Sequence, residues 1–228
     1  MITKKTLKQI EKFAESRFAK NKDSAHNMDH VKRVRDLAIH LSQGEAADTD
    51  VILAACYLHD VGGDAELNDP SGNTDHAVES AKIAKPFLEK LKIPQSKIDH
   101  ILDCILSHRY RTEHKPKTLE AMIVFDADKL ETVGAIGVAR AFSWVGKNQA
   151  YIYKVEDIKK YSEKNMGGKA NGRIRDKSKH SPQLNWETKD KHILSFLYTQ
   201  KAKNIAKRRK KFSEKFFQEL EAEILGRK

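Results

Sequence analysis

The sequence predicts an all-α protein, and three observations carry that prediction. Apolar residues recur at three- and four-residue steps in nearly every segment with a clear period. Alternating runs bounded by hairpin turns, the usual sign of sheet, are absent. A content of 39% apolar and 33% charged residues, with a mean hydropathy of -0.67, fits a folded water-soluble chain and excludes membrane, collagen-like and disulfide-framework classes. At 228 residues the chain suits one good-sized domain, or one domain with an appendage.

Each element has its own signal. The first twenty residues, MITKKTLKQIEKFAESRFAK, begin polar and continue as an amphipathic helix, unlike a signal peptide. Val31, Val34, Leu37, Ala38 and Leu41 share one face of a helix over residues 30–43. Residues 50–58 are almost wholly apolar, as a central buried helix would be. Ala77, Ala81, Ala84, Leu88 and Leu91 line a helix over 75–91, which Pro86 is expected to kink. Ile98, Ile101 and Ile105 mark a helix over 96–107, and residues 119–126 and 133–144 are further helices. Residues 145–190, with the stretch NMGGKANGRIRDKSKHSPQLN, read as a long loop or flexible insertion. A last helical region over 188–225 carries an apolar stripe of Ala202, Ile205, Phe212, Phe216, Leu220 and Ile224. Opposite it stand Lys203, Lys207, Arg208, Lys210 and Lys211.

Charge divides the chain. The formal net charge is +11, yet residues 1–146 carry 21 basic and 22 acidic residues, and residues 147–228 carry 22 basic and 10 acidic. A near-neutral body over 1–146 and a basic loop with C-terminal helices over 147–228, packed on that body, is the expected organisation. Within residues 201–215 eight of fifteen residues are Lys or Arg. That density admits three readings: a solvated helix face, attraction of a polyanionic substrate, or contact with nucleic-acid phosphates. Cys56 and Cys104 lie among apolar residues and read as reduced core thiols. No apolar run approaches the ~20 residues of a bilayer span. The expected compartment is the cytoplasm, with no membrane partner.

The chemistry gathers in a few histidines and carboxylates. His59-Asp60 closes the apolar helix VILAACYLHD, where an unpaired buried charge would cost several kcal/mol. A divalent cation would satisfy both residues; a capped helix end is the plainer alternative. His30, in HNMDHVKRV, and Asp128, in VFDADKLE, add an imidazole and a carboxylate from two further helices. Such a mixed nitrogen and oxygen set suits Mn, Mg, Fe, Co or Ni better than a closed zinc site.

These four residues in order, with HVKRV around the first and DADKLETVGAIGVAR around the last, resemble the HD-domain superfamily of metal-dependent phosphohydrolases, in its small stand-alone bacterial and archaeal form. The resemblance covers roughly residues 24–142. It implies an all-α HD core whose helices converge on one metal centre, with an additional C-terminal helical region. His30, His59, Asp60 and Asp128 are then the metal ligands, for one ion or two, and Asp126 is structural or supports them. His76 and His108 stand where some members place ligands of a second metal or groups that contact phosphate, and either could protonate a leaving group. Asp64 could activate water, although an exposed position suits it as well. Arg33, Lys129 and Arg140 are candidate phosphate contacts, and His26, four residues before His30, a supporting residue. The resemblance implies hydrolysis of a phosphoester or phosphoanhydride in a nucleotide or similar small compound. A regulatory or nucleic-acid-binding protein that uses the basic terminal helix is the alternative. Oligomeric state has no sequence signal.

Overall fold

The computed structural model describes residues 2–19, 23, 25–69, 71–110, 113–169 and 172–228. Among them the chain is helical, with eleven α-helices, two 3-10 turns and no strand. It divides into two compact units, Met1–Asp128 and Lys129–Lys228.

In the first unit, helix starts are fixed by side chains that satisfy the free N–H groups of the first turn. Thr3 caps α1 (Lys4–Phe18), Asn27 caps α2 (Met28–Ser42) and Asp48 caps α3 (Thr49–Leu58). A short α4 (Gly63–Leu67) leads to α5 (His76–Lys90), which Asp75 caps and which runs through Pro86. Then come α6 (Gln95–Ser107) and α7 (Leu119–Leu130), the latter crossing the division between the units. Helix α3 is the hub and packs against α1, α2, α5 and α6. Its Ile52 and Leu58 are fully buried, and removing such side chains from water contributes about 1.5–3 kcal/mol each. Cys56 and Cys104 are free and buried in this core. Burial pushes both thiols upward, so they stay protonated.

In the second unit, α8 (Gly134–Asn148) packs against α11 (Gln200–Ile224). Gly134 begins α8 at a φ of 82°, and an added Cβ would lie 2.9 Å from Arg209 Cγ. Its N–H donates to Ser213 Oγ at 2.8 Å, and Arg209 donates to the Leu130 carbonyl at 2.7 Å. The segment 145–190, expected to be a long loop, instead holds α9 (Ile158–Asn165), a 3-10 turn and α10 (Pro182–Thr188). Tyr161, Met166 and Leu184 form a small core there. The Asn165 side chain ties the glycine-rich stretch shut, donating to the Asp176 carbonyl and accepting from its N–H. Ala170 and Asn171 of that stretch lie outside the described residues.

In the terminal region a 3-10 turn at Asp190–Ser195 and the Thr199 cap separate α10 from α11; the departure from the expectation lies in which face of α11 is buried. The buried face of α11 is Ala202, Ala206, Ser213 and Phe217, whereas Phe212 and Ile224 are each 49% exposed. The apolar residues mislead because the true buried line passes through Arg209 and Ser213, which a hydrophobicity pattern scores as polar. No helix among the described residues is long and apolar enough to cross a membrane.

Candidate metal centre

The centre is built where helix ends meet. His30 lies in the first turn of α2, and its backbone N–H is held by the Asn27 cap at 3.2 Å. His59 is the C-cap of α3 and Asp60 follows it. His76 is the first residue of α5, and His108 is the C-cap of α6. Asp128 lies near the end of α7. Gly62 brings the turn after Asp60 against α5: its N–H donates to Ser80 Oγ at 3.0 Å.

The two oxygens of Asp60 face different partners. Oδ2 lies 3.5 Å from His59 Nε2 and 3.7 Å from His30 Nε2. His30 Nε2 is in turn 3.4 Å from His59 Nε2 and 3.4 Å from Asp128 Oδ1. On the other side, Oδ1 lies 3.3 Å from His76 Nε2 and 3.4 Å from His108 Nε2, and those two nitrogens are 3.0 Å apart. Two potential cation groups thus share Asp60: His30, His59 and Asp60, beside Asp128, and Asp60, His76 and His108.

Hydrogen bonds at the far side of each ring decide what these nitrogens are. His59 Nδ1–H donates to the Cys56 carbonyl at 2.8 Å, and His108 Nδ1–H donates to the Ile105 carbonyl at 2.6 Å. His76 Nδ1–H donates to Glu66 Oε2 at 2.6 Å. In that tautomer each Nε2 carries a bare lone pair. Lone pairs and a carboxylate oxygen converging at 3.0–3.5 Å repel one another unless positive charge sits among them. Donors placed about 2.0–2.2 Å from one divalent cation stand roughly 3–3.5 Å apart. The donor set therefore fits two cations, with Asp60 between them.

Electrostatics agree. Burial pushes the His59 imidazole down to about 4, so it is neutral and available as a ligand. Burial alone would push the Asp60 carboxyl up, but the facing His59, His108 and His76 hold it well below its ordinary value.

Six residues named from the sequence come together here: His30, His59, Asp60, His76, His108 and Asp128. Sequence reading missed Glu66, Arg109 and Asp75. Arg109 donates to Glu66 Oε1 at 2.7 Å and reaches Asp75 Oδ2 at 2.9 Å. The signal was in the strings HDVGGDAE and SHRYR, but Gly62-Gly63 concealed the short helix that carries Glu66. Asp64, on the same helix, is exposed; the acid of this segment that reaches the centre is Glu66. His26 precedes the Asn27 cap, so it does not share a helix face with His30; its Nδ1 lies 3.3 Å from Asp23 Oδ2 and its side chain is 47% exposed. Asp126 is fully buried within α7. Arg33 is half-buried on α2, one turn past His30. Lys129 is buried, and Arg140 donates to the Glu131 carbonyl at 3.1 Å inside the second unit.

Comparison with protein families gives the same centre a name, since residues 27–133 match the HD domain. This span is an HD domain. The matched span holds all six centre residues. The YpgQ protein of Bacillus subtilis is 29% identical over 150 residues, 65% of this chain and 71% of its own. Among solved structures, one from Lactobacillus plantarum is similar with a TM-score of 0.77 at 24% identity, covering 99% of this chain and 100% of its own. YpgQ in complex with ADP is similar with a TM-score of 0.70 at 23% identity, covering 96% and 97%. An HD-superfamily hydrolase from Bacillus thuringiensis has a TM-score of 0.67 at 24% identity, covering 96% of each chain.

Proposed function

We propose that this HD-domain protein is a divalent-cation-dependent phosphohydrolase that cleaves a phosphoester or phosphoanhydride bond of a nucleotide. The observation that carries the reading is Asp60, whose two oxygens each face a separate pair of imidazoles. His30, His59, Asp128 and Asp60 Oδ2 would hold one cation; His76, His108 and Asp60 Oδ1 would hold a second. Such cations supply Lewis acidity, drawing charge from phosphoryl oxygens and making water more acidic. Mn, Mg, Fe, Co and Ni all suit these donors.

The protein's own part is positioning. His59 and His108, at 0% and 1% exposure, form the floor, while His76, Asp60 and Asp128 are more open and form the side a phosphate approaches. Because His76 and His108 both spend Nδ1–H on other acceptors and turn bare nitrogens to Asp60, their geometry favours cation binding over donating a proton to a leaving group. The nucleotide class is supported by the ADP bound to the similar YpgQ protein.

The test is direct. Metal-free protein supplied with manganese is expected to release phosphate or pyrophosphate from at least one of a set of nucleoside mono-, di- and triphosphates, and Asp60→Ala is expected to abolish it. Activity retained by Asp60→Ala would overturn the assignment.

A further inference from the structure

Glu66 and Arg109 close a ring of charged hydrogen bonds around the second donor group. Glu66 Oε2 accepts from both Nδ1 and the backbone N–H of His76, at 2.6 and 3.2 Å. Its other oxygen accepts from Arg109, at 2.7 Å. Arg109 directly follows His108 and also reaches Asp75 at 2.9 Å, the residue that caps α5 through the Ala77 N–H. The ring therefore joins the two short stretches of chain that carry His76 and His108. Glu66 and Arg109 are only 18% and 13% exposed, so their bonds are sheltered from water.

The rings also differ in how they are held. His59 and His108 lean on backbone carbonyls of their own helices, which no side-chain change removes. His76 depends on a side chain. A free imidazole favours the proton on Nε2, which would point N–H groups at Asp60 and block a cation there.

We propose that Glu66, clamped by Arg109, is a positioning residue: it holds the His76 ring with Nε2 bare and toward Asp60, and thereby controls whether the second group holds a cation. The proposal rests on the reading of Asp60 as shared between two cations. Glu66 itself touches neither cation nor substrate.

Ring-nitrogen NMR of metal-free protein near pH ~8, where free imidazole is neutral, tests the tautomer without any metal. Wild-type His76 should be protonated on Nδ1. In Glu66→Ala it should move to the Nε2–H form or a mixture, with His59 and His108 unchanged. Glu66→Gln keeps a carbonyl acceptor and should restore the Nδ1–H form; it also serves if the alanine variant folds poorly. Bound manganese gives a second readout: two ions per chain for wild type and for the exposed control Glu89→Gln, and one for Glu66→Ala, whose second-ion affinity should fall about 10–100-fold. An unchanged His76 tautomer in Glu66→Ala overturns the proposal. A wild-type protein that takes up only one manganese overturns the shared-cation reading instead, and the tautomer spectra still decide whether Glu66 holds the ring.

Discussion

At Gly62 a methyl group would stand 2.5 Å from the Ser80 nitrogen and 2.7 Å from the Glu79 carbonyl carbon. Both are backbone atoms in the first turns of α5, so no side chain can swing aside. Gly62→Ala is expected to push α5 off the turn that carries Asp60, at a cost of about 1–3 kcal/mol, the usual range for overpacking. Because His76 starts α5 and His30 and His59 do not belong to it, the second cation should weaken more than the first. Thermal melting and manganese counting on the same sample check both halves. A variant that melts with wild type would show that the close approach is relaxed in solution.

At the scale of elements, α11 separates two kinds of cation. Arg209 lies on the buried line and donates to the Leu130 carbonyl, while Lys207, Arg208, Lys211 and Lys215 are exposed. Arg209→Ala removes a charged hydrogen bond and is expected to destabilise by about 1.5–3 kcal/mol. Reversing Lys207, Lys211 and Lys215 to Glu should change stability by less than about 1 kcal/mol, as exposed charges do. Equal losses in the two variants would contradict this division of labour. The triple reversal also tests the alternative role of the basic helix: a loss of salt-sensitive RNA or DNA binding in it would favour a nucleic-acid partner.

At the scale of the whole molecule, stability depends on pH in part through two buried groups of the second unit that oppose each other. Burial pushes the Asp190 carboxyl up to about 6; its Oδ2 accepts from Asn185 and its Oδ1 has no hydrogen-bond partner. Folded protein then keeps a proton that the unfolded chain releases near its ordinary value, so stability falls as pH rises through about 6. Burial pushes His180 down to about 4. Here the unfolded chain takes the proton first, so stability falls as pH drops from the ordinary imidazole range toward 4. Asp190→Asn removes only the first effect. It is expected to stabilise by about 1–3 kcal/mol at pH ~8, with the gain shrinking toward zero near pH ~4. Denaturant melts of both proteins across that range measure the difference, and a gain independent of pH would rule out Asp190 as its source.

How much of this was legible in the chain depends on what carried the signal. His59-Asp60 could be read because a polar pair ends a wholly apolar helix, and His30 and Asp128 because their neighbours form distinctive strings. Glu66 and Arg109 could not, since their role arises from a side-chain ring between elements distant in sequence. The structure within 145–190 was hidden for a related reason: Asn165 bonds across to Asp176, Asp157 caps α9 and Ser181 caps α10, and such hydrogen bonds leave no apolar period. On α11 the pattern gave the helix but rotated its face, because half-buried Arg209 and buried Ser213 stand on the packed side.

The shared carboxylate has one more consequence. Among the described residues, the donors that face the two groups include the two formal negative charges of Asp60 and Asp128, while Glu66 is matched by Arg109. Without cations the centre is anionic and repels phosphate. With both groups filled it would carry a formal charge of about +2, so the site would invert its sign on loading. The metal would then act as a gate on recognition as well as a reagent. Calorimetry with inorganic phosphate should register binding in manganese-loaded protein and none in the metal-free form, and equal binding in both would show that recognition lies elsewhere.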